Sequence, residues 1–293
     1  SDLIHASSHS PIWSPDGSRL AFFSTYDRYF IDVHEMSFVD ADVQNFTSEW
    51  GFRMLPFYST SVDRTAFMRL VGSVEQIFLQ TGTGQTPELL LENIIGRPQL
   101  SPDGRYIAYL SQPQSNDENA EIDSGVEGNE LVDLYVQDLD TGTVQNMTAE
   151  TEIYGAPSWS PNGQQILLSS WDYALYLMDA EMSTIERISE AGNVLDFAPL
   201  WSPDGTSIAF LSRRNGNYDL YLYDLLSGST KALTTHSSYD MEPTWSPDSA
   251  ALIFVSGRSG REDLYRVDVA SGVITRLTDT PEREGDPTWR PNS

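Results

Sequence analysis

The chain contains no cysteine, so disulfide staples and thiolate-held metals are excluded. Basic residues are scarce: 17 Lys and Arg stand against 43 Asp and Glu, and the single lysine is Lys231. The net charge of −26 sets up a field that repels phosphate backbones, which argues against nucleic acid and favours cations or basic protein surfaces. No apolar run approaches the roughly 18 residues of a membrane-spanning helix. No leader stands at Ser1, so any export signal is expected to have been removed or to lie outside this sequence. A Gly-x-Ser-x-Gly nucleophile elbow is also missing.

What the chain has is a repeat. The phrase Trp13-Ser14-Pro15-Asp16-Gly17 returns as Leu100-Ser101-Pro102-Asp103-Gly104 and Trp159-Ser160-Pro161-Asn162-Gly163. It returns again as Trp201-Ser202-Pro203-Asp204-Gly205, Trp245-Ser246-Pro247-Asp248-Ser249 and Trp289-Arg290-Pro291-Asn292-Ser293, with a decayed copy at Tyr58-Ser59. The steps between copies are 45, 42, 59, 42, 44 and 44 residues. A period of about 40–45 residues with turn punctuation is a propeller signature, each repeat burying its face on its neighbours.

The stretch from Trp201 to Pro243 predicts four short strands. Trp-Ser-Pro-Asp-Gly ends an inner strand in a tight turn, where proline presets φ, aspartate bonds back to the backbone and glycine accepts positive φ. Ser207–Leu211 supplies a second strand, Asp219–Asp224 a third and Thr230–Thr234 a fourth. Other copies repeat the offsets. Asp-Leu-Tyr recurs at 133 and 263, and an apolar-hydroxyl pair recurs at Met147-Thr148, Leu233-Thr234 and Leu277-Thr278. Asn45-Phe46-Thr47 and Asn146-Met147-Thr148 fit a glycosylation sequon, but both sit at that pair. The large tryptophan rings are expected to wedge between blades.

The expectation is an all-β propeller of four-stranded antiparallel blades filling residues 1–293, with repeats starting near 13, 58, 100, 159, 201 and 245. A last inner strand is expected at 286–289. Six blades result if the chain ends share one, and seven if upstream residues complete another. These phrases resemble the Pro-Asp repeats of the TolB-like propeller family over nearly the whole chain, most weakly over 24–100. The resemblance implies a periplasmic or extracellular protein that binds other proteins at its propeller. Similar repeats also accompany prolyl-oligopeptidase-like peptidases, whose hydrolase domain has no room here.

Three clusters carry candidate chemistry. The acidic insertion 112–130 alternates Asp117, Asn119, Glu121 and Asp123, oxygen ligands of the kind calcium takes, though Ile122 breaks the EF-hand pattern. Asp196, Asp240, Glu242, Glu284 and Asp286 lie five and three residues before successive tryptophans, which brings them to one mouth of the channel. That mouth suits a basic peptide segment or a metal ion. Arg213, Arg214, Arg258 and Arg261 fall in corresponding loops as a basic patch for a partner carboxylate or phosphate. Bland readings stand beside each: a solvated loop, carboxylates bonded to nearby amides or arginines, and surface ion pairs. His5, His9 and His236 fall on one face with nothing to fix their convergence. The leading expectation is a non-enzymatic interaction module, one part of a larger assembly, with no required cofactor. The alternatives are an enzyme using the mouth carboxylates on carbohydrate or peptide, and a calcium-binding structural domain.

Overall fold

The computed structural model describes residues 8–14, 17–24, 32–39, 41–45, 54–58, 64–71, 74–81, 86–112, 132–148, 153–170, 173–181, 184–190 and 194–291. Among these residues are six four-stranded antiparallel sheets, each hydrogen-bonded in chain order from an inner first strand to an outer fourth. Sheet one comprises Ser8–Trp13, Arg19–Ser24, Asp32–Ser37 and Val43–Asn45. Sheet two comprises Met54–Tyr58, Arg64–Val71, Val74–Thr81 and Glu88–Glu92; sheet three, Ile94–Leu100, Tyr106–Ser111, Asp133–Asp138 and Val144–Asn146. Sheet four comprises Ile153–Trp159, Gln165–Ser170, Leu175–Asp179 and Ile185–Arg187. Sheet five comprises Asp196–Trp201, Ser207–Ser212, Asp219–Asp224 and Ser229–Ala232; sheet six, Asp240–Trp245, Ala251–Ser256, Asp263–Asp268 and Ile274–Arg276. The expected strand at 286–289 joins no ladder, because no second strand pairs with it among the described residues.

The repeated phrase builds one turn several times. In sheet five, Ser202 Oγ donates to Asp204 Oδ1 at 2.6 Å and accepts the Ser207 amide at 2.9 Å. The Thr206 amide donates to the same Asp204 oxygen at 3.0 Å. Ser246 and Asp248 repeat the geometry in sheet six, and Ser160 with Asn162 in sheet four. Burial works to raise the Asp204 pKa, but the hydroxyls of Ser202, Thr206 and Ser249 and the Thr206 amide hold it below the usual aspartate range. Gly205 closes the turn with φ +70°, a left-handed value that a glycine adopts without strain.

The tryptophans tie sheet to sheet. The Trp159 indole donates to Gln99 O at 3.2 Å, Trp201 to Ser158 O at 3.1 Å and Trp245 to Leu200 O at 3.3 Å. Each ring is buried in a core cluster that draws on two successive sheets. Burying a ring this size removes 150–250 Å² of apolar surface from water. At the outer strands the hydroxyl of the apolar-hydroxyl pair has a fixed task. Thr234 Oγ1 accepts the Leu220 amide at 2.9 Å, Thr148 that of Leu134 at 2.8 Å and Thr278 that of Leu264 at 2.9 Å. An amide at the start of each third strand is thereby satisfied where the fourth strand has ended.

Candidate functional site

The residues singled out in the sequence cluster where the inner strands of sheets five and six begin. Asp196 opens one strand opposite Ser212, and Asp240 opens the other opposite Ser256. Both aspartates are fully buried, at 0% exposure. A carboxylate cannot stay charged there without a partner. Eighteen residues on, Arg214 donates from Nη2 to both Asp196 oxygens at 3.1 and 2.9 Å. Arg258 does the same to Asp240, both at 2.9 Å. Each guanidinium is oriented by the serine opposite the aspartate, through an Nε–H bond to Ser212 Oγ at 3.0 Å or Ser256 Oγ at 2.9 Å. It also lies over a pair of aromatic rings, Phe210 and Tyr221 for Arg214 and Phe254 and Tyr265 for Arg258.

Two of the mouth carboxylates and two of the patch arginines are therefore one set of buried ion pairs. Their charges are spent on one another, and Arg214 also reaches Glu190 at 3.3 Å. Asp196 and Asp240 offer no lone pair to solvent, and the basic patch reduces to its exposed members, Arg213 and Arg261. Arg213 lies 5.0 Å over the Tyr218 ring, and Arg261 stands 3.6 Å from Asp279. Sequence offsets placed the aspartates and arginines in separate clusters. The signal that joins them is an Asp-x17-Arg spacing repeated at 196/214 and 240/258, with serine two residues before each arginine.

Three further buried acids stand at the start of third strands, and the first of them, Asp133, accepts from Asn146 Nδ2 at 2.8 Å. Asp263 meets Arg276 Nη2 at 2.7 Å and accepts the Ser259 hydroxyl, which, with Arg276, holds its pKa low against the opposing effect of burial. Asp219 accepts the Thr234 hydroxyl at 3.3 Å, with the Asn215 side-chain amide as a further donor. Burial and the neighbouring Asp240 charge push its pKa up.

The other three mouth residues remain accessible. Glu242 and Asp286 are exposed and Glu284 is half-buried. They border a hollow of about 320 Å³ beside sheet six, together with Tyr239, Glu262 and Arg283. Glu242 Oε2 accepts the Asp286 amide at 2.8 Å, and Glu284 Oε1 accepts the Thr280 hydroxyl at 2.7 Å. Glu262 accepts the Tyr239 hydroxyl and pairs with Arg283, whose side chain is largely exposed. The hollow is thus acid-rich, with one mobile-length cation at its rim.

Asp117, Asn119, Glu121 and Asp123 lie outside the described residues, as does His5. His34 is buried beside Phe22, while His236 is exposed and uses Nδ1 to accept the Ser238 amide at 3.0 Å. Among the described residues, no three His, Asp or Glu side chains form a group able to hold a metal ion.

Residues 127–217 and 192–293 match the TolB beta propeller domain family, more than half of the chain between them. A 115-residue stretch is 31% identical to the Tol-Pal system protein TolB of Anaeromyxobacter dehalogenans strain 2CP-1, covering 37% of this chain and 25% of that protein. The match thus spans about a quarter of this curated relative's length. The crystal structure of TolB from Acinetobacter baumannii is similar over 100% of this chain and 68% of its own, with a TM-score of 0.64 and 19% identity. An oligogalacturonate lyase in complex with manganese is similar over 98% of this chain and 85% of its own, with a TM-score of 0.77 and 14% identity. Identities this low speak for the fold alone. The turn phrase, the four-stranded sheets and the match over 127–293 together make this chain a member of the TolB beta-propeller family.

Proposed function

We propose that the protein is a propeller-based interaction module that docks a basic polypeptide segment of another protein. The six sheets act as six consecutive blades around one axis, and the acid-rich hollow beside sheet six is the docking mouth. The carrying observation is the division of charge: Asp196 and Asp240 are neutralised by Arg214 and Arg258, while Glu242, Glu284 and Asp286 face solvent on a chain of net charge −26. Such a surface speeds encounter with a basic partner and is sensitive to salt. Family membership and the Tol-Pal name of the relative support a role in a protein assembly. The same relatives support a periplasmic address, and among the described residues no helix is long and apolar enough to cross a membrane.

Cross-linking in native extract, followed by mass spectrometry, tests this reading. A partner cross-linked next to Glu242, Glu284 or Asp286, lost on charge reversal of these residues, is the expected result. Recovery of the chain alone, or turnover of a small oligosaccharide that depends on these carboxylates, overturns it in favour of an enzyme.

A further inference from the structure

The loops that join the second and third strands of sheets five and six share one backbone plan. Residues 212–219 and 256–263 match in length, and each closes a turn: the Gly216 amide donates to Arg213 O at 2.9 Å, and the Gly260 amide to Gly257 O at 3.0 Å. The Arg213 amide donates to Leu195 O at 3.1 Å and the Gly257 amide to Tyr239 O at 3.4 Å. Tyr218 O and Glu262 O then accept the amides of Asp240 and Glu284, at 2.8 and 3.1 Å. The side chains on this common frame differ in sign. In sheet six a β-carbon at Gly257 would meet the Tyr239 ring at 3.4 Å, so the glycine lets that ring lie close, with its hydroxyl on Glu262 Oε1 at 2.5 Å. In sheet five Arg213 stands where Gly257 stands, and Tyr218 where Glu262 stands. The Arg213 guanidinium lies 5.0 Å over the Tyr218 ring, which Phe197 meets edge-on at 5.3 Å.

Every other arginine of these two sheets is neutralised. Arg214, Arg258, Arg261, Arg266 and Arg276 each meet a carboxylate. Arg213 is exposed and meets no carboxylate among the described residues. The acids beside its loop are already committed: Asp196 and Glu190 to Arg214, and buried Asp219 to the Thr234 hydroxyl. The repeat needs no cation at this position, because sheet six manages with glycine. Folding therefore leaves unexplained a guanidinium fixed over a ring, unneutralised, on a chain with 43 acidic side chains. Its planar fork of N–H donors suits a carboxylate, which it can grip through two parallel bonds.

We propose that Arg213, seated on Tyr218, binds a carboxylate of the docked segment, so that the partner presents an acidic side chain beside its basic one. The proposal rests on the interaction reading above and adds the charge pattern of the partner. A free carboxylate or phosphate is repelled by the net charge of −26. An acid carried on a segment whose basic residue enters the hollow of sheet six escapes that repulsion. The two subsites are adjacent: the Asp240 amide bonds to Tyr218 O, beneath Arg213, and Glu242 follows Asp240 by two residues. The ring under the guanidinium holds it in place before binding, which lowers the side-chain entropy lost when the carboxylate arrives.

The probe is a pair of synthetic peptides capped at both ends, Lys-Gly-Lys-Gly-Glu-Gly-Lys-Gly-Lys and the same sequence with Gln at its centre. The overall acidic field favours the Gln peptide, which carries the larger positive charge. Titration calorimetry on the 293-residue chain should nevertheless show the Glu peptide binding about fivefold tighter. Arg213→Gln should reverse that order and leave the thermal melt unchanged, because the side chain is exposed. Equal binding of the two peptides to the wild type, tighter binding of the Gln peptide, or a Glu advantage that survives Arg213→Gln overturns the proposal. A carboxylate of this same chain already seated on Arg213 would remove the Glu advantage and so overturn it too. Where, in any of these cases, Glu242→Gln with Glu284→Gln still abolishes peptide binding, the interaction reading stands without the proposal. Failure of both peptides to bind overturns both.

Discussion

Sheet three and sheet six solve the same problem with opposite chemistry. In both, the inner strand opens opposite a serine that ends the second strand. In sheet six that residue is Asp240, opposite Ser256; in sheet three it is Ile94, opposite Ser111. Ile94 is only 4% exposed and sits in an apolar cluster with Ala66 and Ile77 of sheet two. Asp240 is 0% exposed and needs Arg258, Ser256 and two aromatic rings to stay there. The fold therefore does not require an ion pair at this position. An aspartate once present makes its arginine obligatory.

The strongest way to break this comparison is Arg258→Met, which leaves Asp240 charged and buried. Removing one partner of a buried pair costs about 3–5 kcal/mol, so a urea melt should show a large loss of stability in the sheet-six region. Asp240→Ile combined with Arg258→Met sharpens it instead. That pair imitates sheet three, and replacing a whole buried ion pair by apolar groups is often neutral or stabilising by about 1–4 kcal/mol. The double variant should therefore melt far above Arg258→Met. Equal stability of the single and double variants would mean that the guanidinium matters for packing on Phe254 and Tyr265, not for neutralising Asp240.

A smaller effect is expected at the outer end of the same architecture. Thr234→Val keeps the shape but orphans the buried Leu220 amide, a loss of about 1–3 kcal/mol. Hydrogen exchange at Leu220 should quicken while the Leu134 amide, held by Thr148 in sheet three, stays protected.

The four-stranded antiparallel architecture was legible because the turn phrase is chemically self-sufficient. Serine, aspartate and glycine complete their own hydrogen bonds within five residues, so the motif reads the same wherever it sits. The ion pairs were not legible because they depend on register. Counting five back from Leu100 reaches Ile95, yet the structure sets Ile94 opposite Ser111, since the sheet-three inner strand carries a wider irregularity than those of sheets five and six. Offsets alone also separated Asp240 from Arg258, which meet only after a strand and a loop have folded back. Sheet two was hardest to see. Its eight-residue strands Arg64–Val71 and Val74–Thr81 follow no tryptophan phrase, and they pair along their whole length, from Arg64 opposite Thr81 to Val71 opposite Val74.

Asp219 gives the finest test of the contrast between paired and unpaired acids. It opens the third strand of sheet five as Asp263 opens that of sheet six, but among the described residues no arginine bonds to it as Arg276 bonds to Asp263, and Arg258 acts on it only through its charge. Burial and the Asp240 charge raise its folded pKa above the unfolded value, so the folded state binds the proton more tightly. Wild-type stability at this site is therefore fullest below the ordinary aspartate range, about pH 3.9, and is lost as pH rises through the folded value. Asp219→Asn removes the buried charge and leaves an oxygen for the Thr234 hydroxyl. It should raise the melting temperature at pH 7 by on the order of 1–2 °C, with the gain vanishing toward pH 4. Asp263 has the opposite shift, so Asp263→Asn should lower stability at pH 7, and that loss should shrink as pH falls. Parallel pH series of melting temperature for the two variants should diverge with rising pH; curves that move together would show that the arginine, not the carboxylate's charge, is indifferent to the fold at these two strand starts.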